Sequence, residues 1–206
     1  MQGRLAMGEG RPEGVQTQAV AREQRERAQG HRGAIVWFTG LPGAGKTTIA
    51  IALELELFRR GARSYRLDGD NLRTGLNSDL GFSSTARAEN IRRAGEVAAL
   101  LADAGMITLA CFISPDAQAR SRVRASAGSI PFLEVFVDCP LQECELRDPK
   151  GLYRQARAGI ISDFTGVSAP YESPLAPDLR IESHVVSVGD AVSAVLAALQ
   201  AKRVLS

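Results

Sequence analysis

The stretch Ala34-Ile-Val-Trp-Phe-Thr-Gly40-Leu-Pro-Gly-Ala-Gly-Lys46-Thr47 decides the fold. Six uncharged residues lead into glycine, the pattern of a strand buried on both faces of a parallel sheet. Gly40, Leu41, Pro42, Gly43, Ala44, Gly45, Lys46 and Thr47 then satisfy G-x-x-x-x-G-K-[ST], with Thr48 next in line. They stand where that motif must, between a strand and a helical segment that runs from about Gly45 to Arg59 and stops at Gly61. Glycines let the backbone wrap a phosphate with several N–H groups pointing inward. The helix N-terminus adds partial positive charge. Lys46 brings a full charge to the outer phosphates, and the Thr47 hydroxyl is an oxygen of the kind that ligates Mg²⁺. The ligand implied is a nucleoside triphosphate with Mg²⁺.

Outward from this loop, strands and helices alternate. Ser64–Asp68, Met106–Ile113, Phe132–Asp138 and Leu179–Glu182 read as strands. Thr85–Ala104 reads as a helix with Ile91, Ala94, Val97, Leu101 and Ala104 on its core face, and Val188–Lys202 as a last amphipathic helix. Alternation of this kind specifies a three-layer, doubly wound parallel sheet in the α/β class. With the phosphate loop it predicts a P-loop NTPase of the nucleoside-monophosphate-kinase kind. The polar, Gly- and Pro-bearing stretch 147–177 breaks the rhythm and is long for a connection, so it is expected to be a lid.

Composition narrows the classes. The 206 residues carry 25 Lys and Arg against 23 Asp and Glu, a net charge of +2. That field is too weak for sequence-independent nucleic-acid binding, and no apolar run is long enough to span a bilayer. Cys111, Cys139 and Cys144 lack metal or disulfide spacing and are expected to be small core residues in a cytoplasmic protein. Cys139 and Cys144 flank the start of an expected helix, a place where a thiol pKa can fall. Residues 1–30 have no sustained apolar face and are expected to be a mobile arm or linker, leaving 31–206 as the catalytic domain.

The strand Met106–Ile113 ends without a carboxylate, so a second partner for the metal has to come from elsewhere. Asp68-Gly-Asp70 closes the strand Ser64–Asp68, on the sheet edge that bears the phosphate loop. Two carboxylates there suit metal positioning or proton removal from an attacking hydroxyl, while Asp70 also suits a helix cap. Beyond them, Arg73, Arg87 and Asn90 are anion-binding types, and Arg87 and Asn90 share one helix face. Phe82 stands in a loop, where it reads either as a stacking ring for a base or as a core plug.

Nine segments resemble the adenylylsulfate kinase family and occur in its order. They are Trp37–Thr47, Leu67–Arg73, Asn77–Phe82, Glu89–Val97, Phe112–Pro115, Glu134–Asp138, Arg147–Tyr153, Ala156–Gly159 and Phe164–Gly166, within residues 32–184. The resemblance implies transfer of the ATP γ-phosphoryl group to the 3′-hydroxyl of adenosine 5′-phosphosulfate. By matching position it gives Lys46 and Thr47 to phosphate and metal, Asp68 to the metal water or base role, and Asp70 as its neighbour. Arg73, Arg87 and Asn90 become a phosphosulfate clamp, and Phe82 and Phe164 two faces of an adenine slot. Arg147 and Lys150 become lid charges that meet the phosphates. Ser114 matches a serine described in the family as a phosphorylated intermediate. Direct in-line transfer makes a covalent step unnecessary, and Ser114 suits an acceptor contact or the cap of the helix after Pro115.

The match departs from the family in Pro42 and Ala44 of the loop, in Thr47 for serine, in Asp116 after Ser-Pro, and in the run Gln118–Arg124. Arg180, in an edge strand, is expected on the exposed face. The resemblance also implies a homodimer and allows an ATP sulfurylase partner. Two other readings stay open: a kinase of this fold acting on a sugar acid or nucleoside monophosphate, and an inactive nucleotide-binding module of a sulfate-activating complex.

Overall fold

None of the six residues of β1 (Ala34–Thr39) meets water, so the strand needs a layer on each side. The computed structural model, which describes residues 19–206, supplies both. β1 joins β2 (Ser64–Asp68), β3 (Ile107–Cys111), β4 (Phe132–Asp138) and β5 (Leu179–Glu182) in one sheet of order β2-β3-β1-β4-β5. Every neighbouring pair is parallel. β1 and β3 lie side by side, yet the chain leaves β1 toward β2 and leaves β3 toward β4. Such a reversal opens a crevice at the carboxyl ends of the strands.

Strand alternation divides the core. Val36 and Phe38 face α2 (Lys46–Arg59) and α8 (Val188–Ala201), packing with Leu53, Leu57, Val195 and Leu199. Ile35 and Trp37 face α4 (Ser84–Asp103) and α5 (Ala117–Ser126), packing with Ala94, Ala98 and Val123. Trp37 also stacks on Phe112 at 5.0 Å. At Gly95, a Cβ would come within 2.9 Å of Val123, so α4 and α5 approach as closely as a glycine permits. This contact rotates the expected core face of α4. Ile91 and Ala94 are buried, Val97 and Leu101 are half-buried, and Ala104 is exposed, while Asn90, Gly95, Ala98 and Ala102 turn inward.

Two further expectations are corrected. The strand expected over Met106–Ile113 pairs only from Ile107 to Cys111, because Ser114 (φ 40°) turns the chain out of the sheet ahead of Pro115. Two short helices were not foreseen: α3 (Gly69–Arg73), and α7 (Leu152–Arg157) inside the expected lid, after α6 (Leu141–Arg147). Asp148 accepts the N–H groups of Tyr153 and Arg154 at 3.1 Å and so starts α7. Within residues 1–30, where Thr17–Gln29 also suited a solvated helix, α1 (Arg22–Gln29) forms, while residues 1–18 lie outside the described ones. α1 buries no residue and is held by polar groups: Arg25 donates to Asp103 O, Gln29 to Ala104 O, and Arg22 to Ser129 Oγ. Carbonyls left open at helix ends are natural partners for such a contact. Arg180 lies on the exposed face, as expected, paired with Asp138 and Glu182. Among the described residues no helix is long and apolar enough to cross a membrane.

Candidate active site

The phosphate loop is held from beneath. A Cβ on Gly40 would lie 2.4 Å from Val137 O, so only glycine allows β1 to leave the sheet against β4. Gly45 (φ 97°) takes the left-handed turn that starts α2. Tyr153 donates its hydroxyl to Pro42 O at 2.9 Å, and Ser183 donates to Ala44 O at 2.6 Å. Lys46 is buried and donates to Gly40 O at 2.9 Å and Leu41 O at 2.8 Å. Burial outweighs these contacts and pushes its pKa down to about 8.

Thr47 Oγ1 donates to Asp68 Oδ2 at 3.2 Å. Asp68 Oδ1 accepts the Asp70 N–H at 3.1 Å, and Arg66 steadies Oδ2 at 3.2 Å. The helix cap is therefore Asp68, whereas Asp70, which also suited a cap, points outward. Asp70 is ion-paired with Lys150 of the stretch 147–177. On the other side of the loop, Gly43, Gly45, Thr48, Arg147, Ser183 and Val186 border a cleft of about 370 Å³. Arg147 closes its rim, donating to Ser183 O at 3.0 Å and Gly43 O at 3.4 Å.

Across the crevice, Arg73 donates to Leu80 O and Gly81 O, both at 3.1 Å, and its guanidinium lies 4.5 Å from the centre of the Phe82 ring. Phe82 is 69 % exposed, which removes the core-plug reading. Arg87 donates to Phe82 O at 2.8 Å, to Thr165 Oγ1 at 3.5 Å and to Asp163 O. It thereby joins the Phe82 loop to the Phe164 loop. Phe164 is half-buried, edge-on to Tyr153 at 5.0 Å. Burial, then the charge of Arg87, lowers the pKa of Arg73, so this region favours an anion. Asn90 is buried one turn along α4 from Arg87 and accepts a hydrogen bond from Asn77 Nδ2 at 2.9 Å.

Ser114, matched to an acceptor contact or a phosphorylated serine, is 2 % exposed. Its side chain is buried, accepting from Trp37 Nε1 at 3.2 Å and donating to Thr39 Oγ1 at 2.9 Å. It does not cap α5: Asp116 does, accepting the Ala119 N–H at 2.6 Å. Arg120, buried with Glu134 at 3.0 Å, donates to Ser114 O at 2.7 Å and Glu172 O at 2.6 Å. The three cysteines are free and buried. Burial pushes the Cys111 and Cys144 thiols up to about 12, so the helix start beside Cys144 does not activate it.

Several of these supports escaped the sequence reading: Thr39, Arg66, Asn77, Tyr153 and Ser183. Thr39 and Ser183 carried a usable signal, since each follows or ends a strand at the carboxyl edge. The others sit in loops, in the short helix α7 or on an edge strand, where residue type alone marks nothing.

The strand order, the loop at the head of α2 and the carboxylate beside Thr47 together define a P-loop kinase. Residues 32–182 match the family model described as adenylylsulphate kinase, and the chain belongs to that family. It is 59 % identical to the adenylyl-sulfate kinase of Shewanella amazonensis over 165 residues, 80 % of this chain and 83 % of that one. Among solved structures, the APS kinase CysC of Mycobacterium tuberculosis in complex with AMPPNP and APS is 52 % identical, with a TM-score of 0.79 over 82 % of this chain and 99 % of that one. A gluconokinase from Sinorhizobium meliloti shares the fold at 16 % identity and a TM-score of 0.55, over 84 % of this chain and 94 % of that one.

Proposed function

We propose that this chain is an ATP-dependent adenylylsulfate kinase. It moves the γ-phosphoryl group of ATP to the 3′-hydroxyl of adenosine 5′-phosphosulfate, giving 3′-phosphoadenylyl sulfate and ADP. The observation that carries this is Arg87, whose guanidinium fastens the loop of Phe82 to the loop of Phe164. Two aromatic rings on loops joined by a cation suit a base beside an anionic group, and a sugar acid has no use for them.

The residues share the work by position. Gly40 to Thr48 and Arg147 hold the ATP phosphates and their surroundings. Thr47 and Asp68, a hydroxyl and a carboxylate 3.2 Å apart, suit Mg²⁺, which takes few protein ligands besides phosphate oxygens. Bound there, the ion would supply charge neutralisation for the phosphates. Among the described residues there is no His, Cys, Asp and Glu cluster of three or more for a metal, which accords with so light a ligand set. Arg73, Arg87 and Asn90 orient the acceptor. The 3′-oxygen bonds to the γ-phosphorus, the bond from that phosphorus to the β-bridging oxygen breaks, and the hydroxyl proton passes to Asp68. Lys46 stabilises charge on the transferring group. Asp70 and Lys150 latch the lid, and Ser114 is a buried positioning residue, not a phosphoryl carrier.

Incubation with ATP, Mg²⁺ and adenylylsulfate, read by ³¹P NMR and anion-exchange chromatography beside a panel of sugar acids and nucleoside monophosphates, tests the reading. A 3′-phosphorylated product made from adenylylsulfate alone is expected. Turnover of a panel member with adenylylsulfate left intact overturns it.

A homodimer belongs to the same proposal. Ile51, Leu55 and Phe58 form an apolar stripe on α2, exposed among the described residues, beside the edge strand β2. Light scattering on the purified chain checks it. Cytoplasmic residence accords with three free thiols, and association with an ATP sulfurylase is tested by co-purification.

A further inference from the structure

Asn77 lies in the turn between α3 and α4 with 0 % of its surface exposed, and nothing in the chemistry above uses it. Its backbone N–H is held by Leu72 O at 2.8 Å, which fixes the turn. The side chain is lopsided. Nδ2 donates to Asn90 Oδ1 at 2.9 Å, while Oδ1 is buried without a partner among the described residues.

That asymmetry sets the direction of both amides. A buried carbonyl without a donor costs less than a buried NH₂ without an acceptor. Turning Asn77 over would put its two-proton group in the unpartnered place and its oxygen against the oxygen of Asn90. Asn90 is thereby held with its carbonyl toward Asn77 and its NH₂ directed away. That NH₂ makes no hydrogen bond to the described residues. It belongs to a side chain 6 % exposed, one helical turn from Arg87.

We propose that Asn77 is a positioning residue for the phosphoryl acceptor. It locks the Asn90 amide so that a donor, not a lone pair, faces the crevice. The site then selects an acceptor molecule that offers a lone pair at that point, such as a sulfate or phosphate oxygen or a ring nitrogen, and disfavours one that can only donate there, such as an ammonium. The inference rests on the acceptor assignment made above for Asn90.

Asn77→Asp tests it through pH. Burial raises the pKa of the introduced carboxyl. In its neutral form the acid donates O–H to Asn90 Oδ1 and keeps the amide as it is. Once ionised it can only accept, so it draws the Asn90 NH₂ inward and turns the carbonyl to the crevice. The KM for adenylylsulfate, taken as the ratio of variant to parent at each pH, is expected near one at the acid end. It should rise roughly tenfold or more as the carboxyl ionises, the scale of one donor replaced by a lone pair. The KM for ATP should not follow. A pH-independent change, or equal rises for both substrates, overturns the proposal and leaves Asn77 a packing residue. If N77D fails to fold, Asn77→Leu, close in shape and without polar atoms, is read instead. A raised KM for adenylylsulfate alone is expected, and an unchanged one overturns the proposal. The parent enzyme run alongside separates the two ideas, since a parent inert toward adenylylsulfate defeats the acceptor assignment itself.

Discussion

Tyr171 donates its hydroxyl to Thr39 Oγ1 across 2.9 Å, joining the later part of the stretch 147–177 to the residue just before the phosphate loop. The direction follows from the neighbours. Thr39 sends its own proton to Ile113 O at 2.7 Å and accepts from Ser114 Oγ at 2.9 Å, so Tyr171 must donate. Tyr171→Phe keeps the stack on Phe136 and deletes only this bond. Urea unfolding should show a loss of about 1 kcal/mol with an unchanged m-value, and proteolysis within 147–177 should quicken. Unchanged stability and unchanged cleavage would show the bond to be idle.

Ser114→Ala leaves Trp37 Nε1 without its acceptor in a buried place. The expected cost is about 1–3 kcal/mol, read by urea unfolding. Turnover at saturating substrates should stay within about threefold, because the hydroxyl takes no part in the transfer. Parent enzyme quenched after mixing with γ-labelled ATP in the absence of acceptor should carry no label on serine. Label at Ser114 would defeat this assignment.

Lys46 has a pKa of about 8 in the ligand-free fold against 10.5 ordinarily. Between these values the unfolded chain holds a proton that the folded chain has released, so this residue's contribution to stability rises with pH from 8 to 10.5. Below pH 8 the buried ammonium is a standing cost. Lys46→Met should therefore be the more stable protein at pH 7 without nucleotide, with the gap closing above pH 10. ATP phosphates favour the charged form. At pH 8, ATP binding should take up about half a proton, measured by calorimetry in two buffers of different ionisation enthalpy. Lys46→Met should take up none.

Phe82→Ala removes a ring that is 69 % exposed, so the melting temperature should hardly move. KM for adenylylsulfate should rise by roughly tenfold, the scale of about 1–3 kcal/mol for a lost stacking ring, while KM for ATP stays put. Equal rises for both substrates would mean that the ring shapes the loop and not the acceptor pocket.

What the sequence made legible had a strong local cause. β1 announces itself because five apolar residues and a threonine in a row meet a glycine that Val137 O leaves no room to replace. β2, β4 and β5 begin and end where their patterns place them. The face of α4 was harder to read. Its packing is decided by Gly95 against Val123 of another helix, so close that an added Cβ would lie 2.9 Å from Val123, and no local pattern encodes that approach. The same holds for the site. Lys46, Thr47 and Asp68 lie within short motifs. Asn77 meets Asn90 and Tyr171 meets Thr39 only after the sheet has brought remote loops to one edge. Ser114 shows the same dependence on remote partners: Trp37 and Thr39 enclose its hydroxyl, which no local pattern indicates.

α1 is seated against the ends of α4 and α5, where Asp103, Ala104 and Ser129 lead into the starts of β3 and β4. This is the rim opposite the phosphate loop. A purification handle or tether attached through α1 therefore hangs clear of both nucleotide pockets, and the molecule can be immobilised by that rim with its working face turned to solvent.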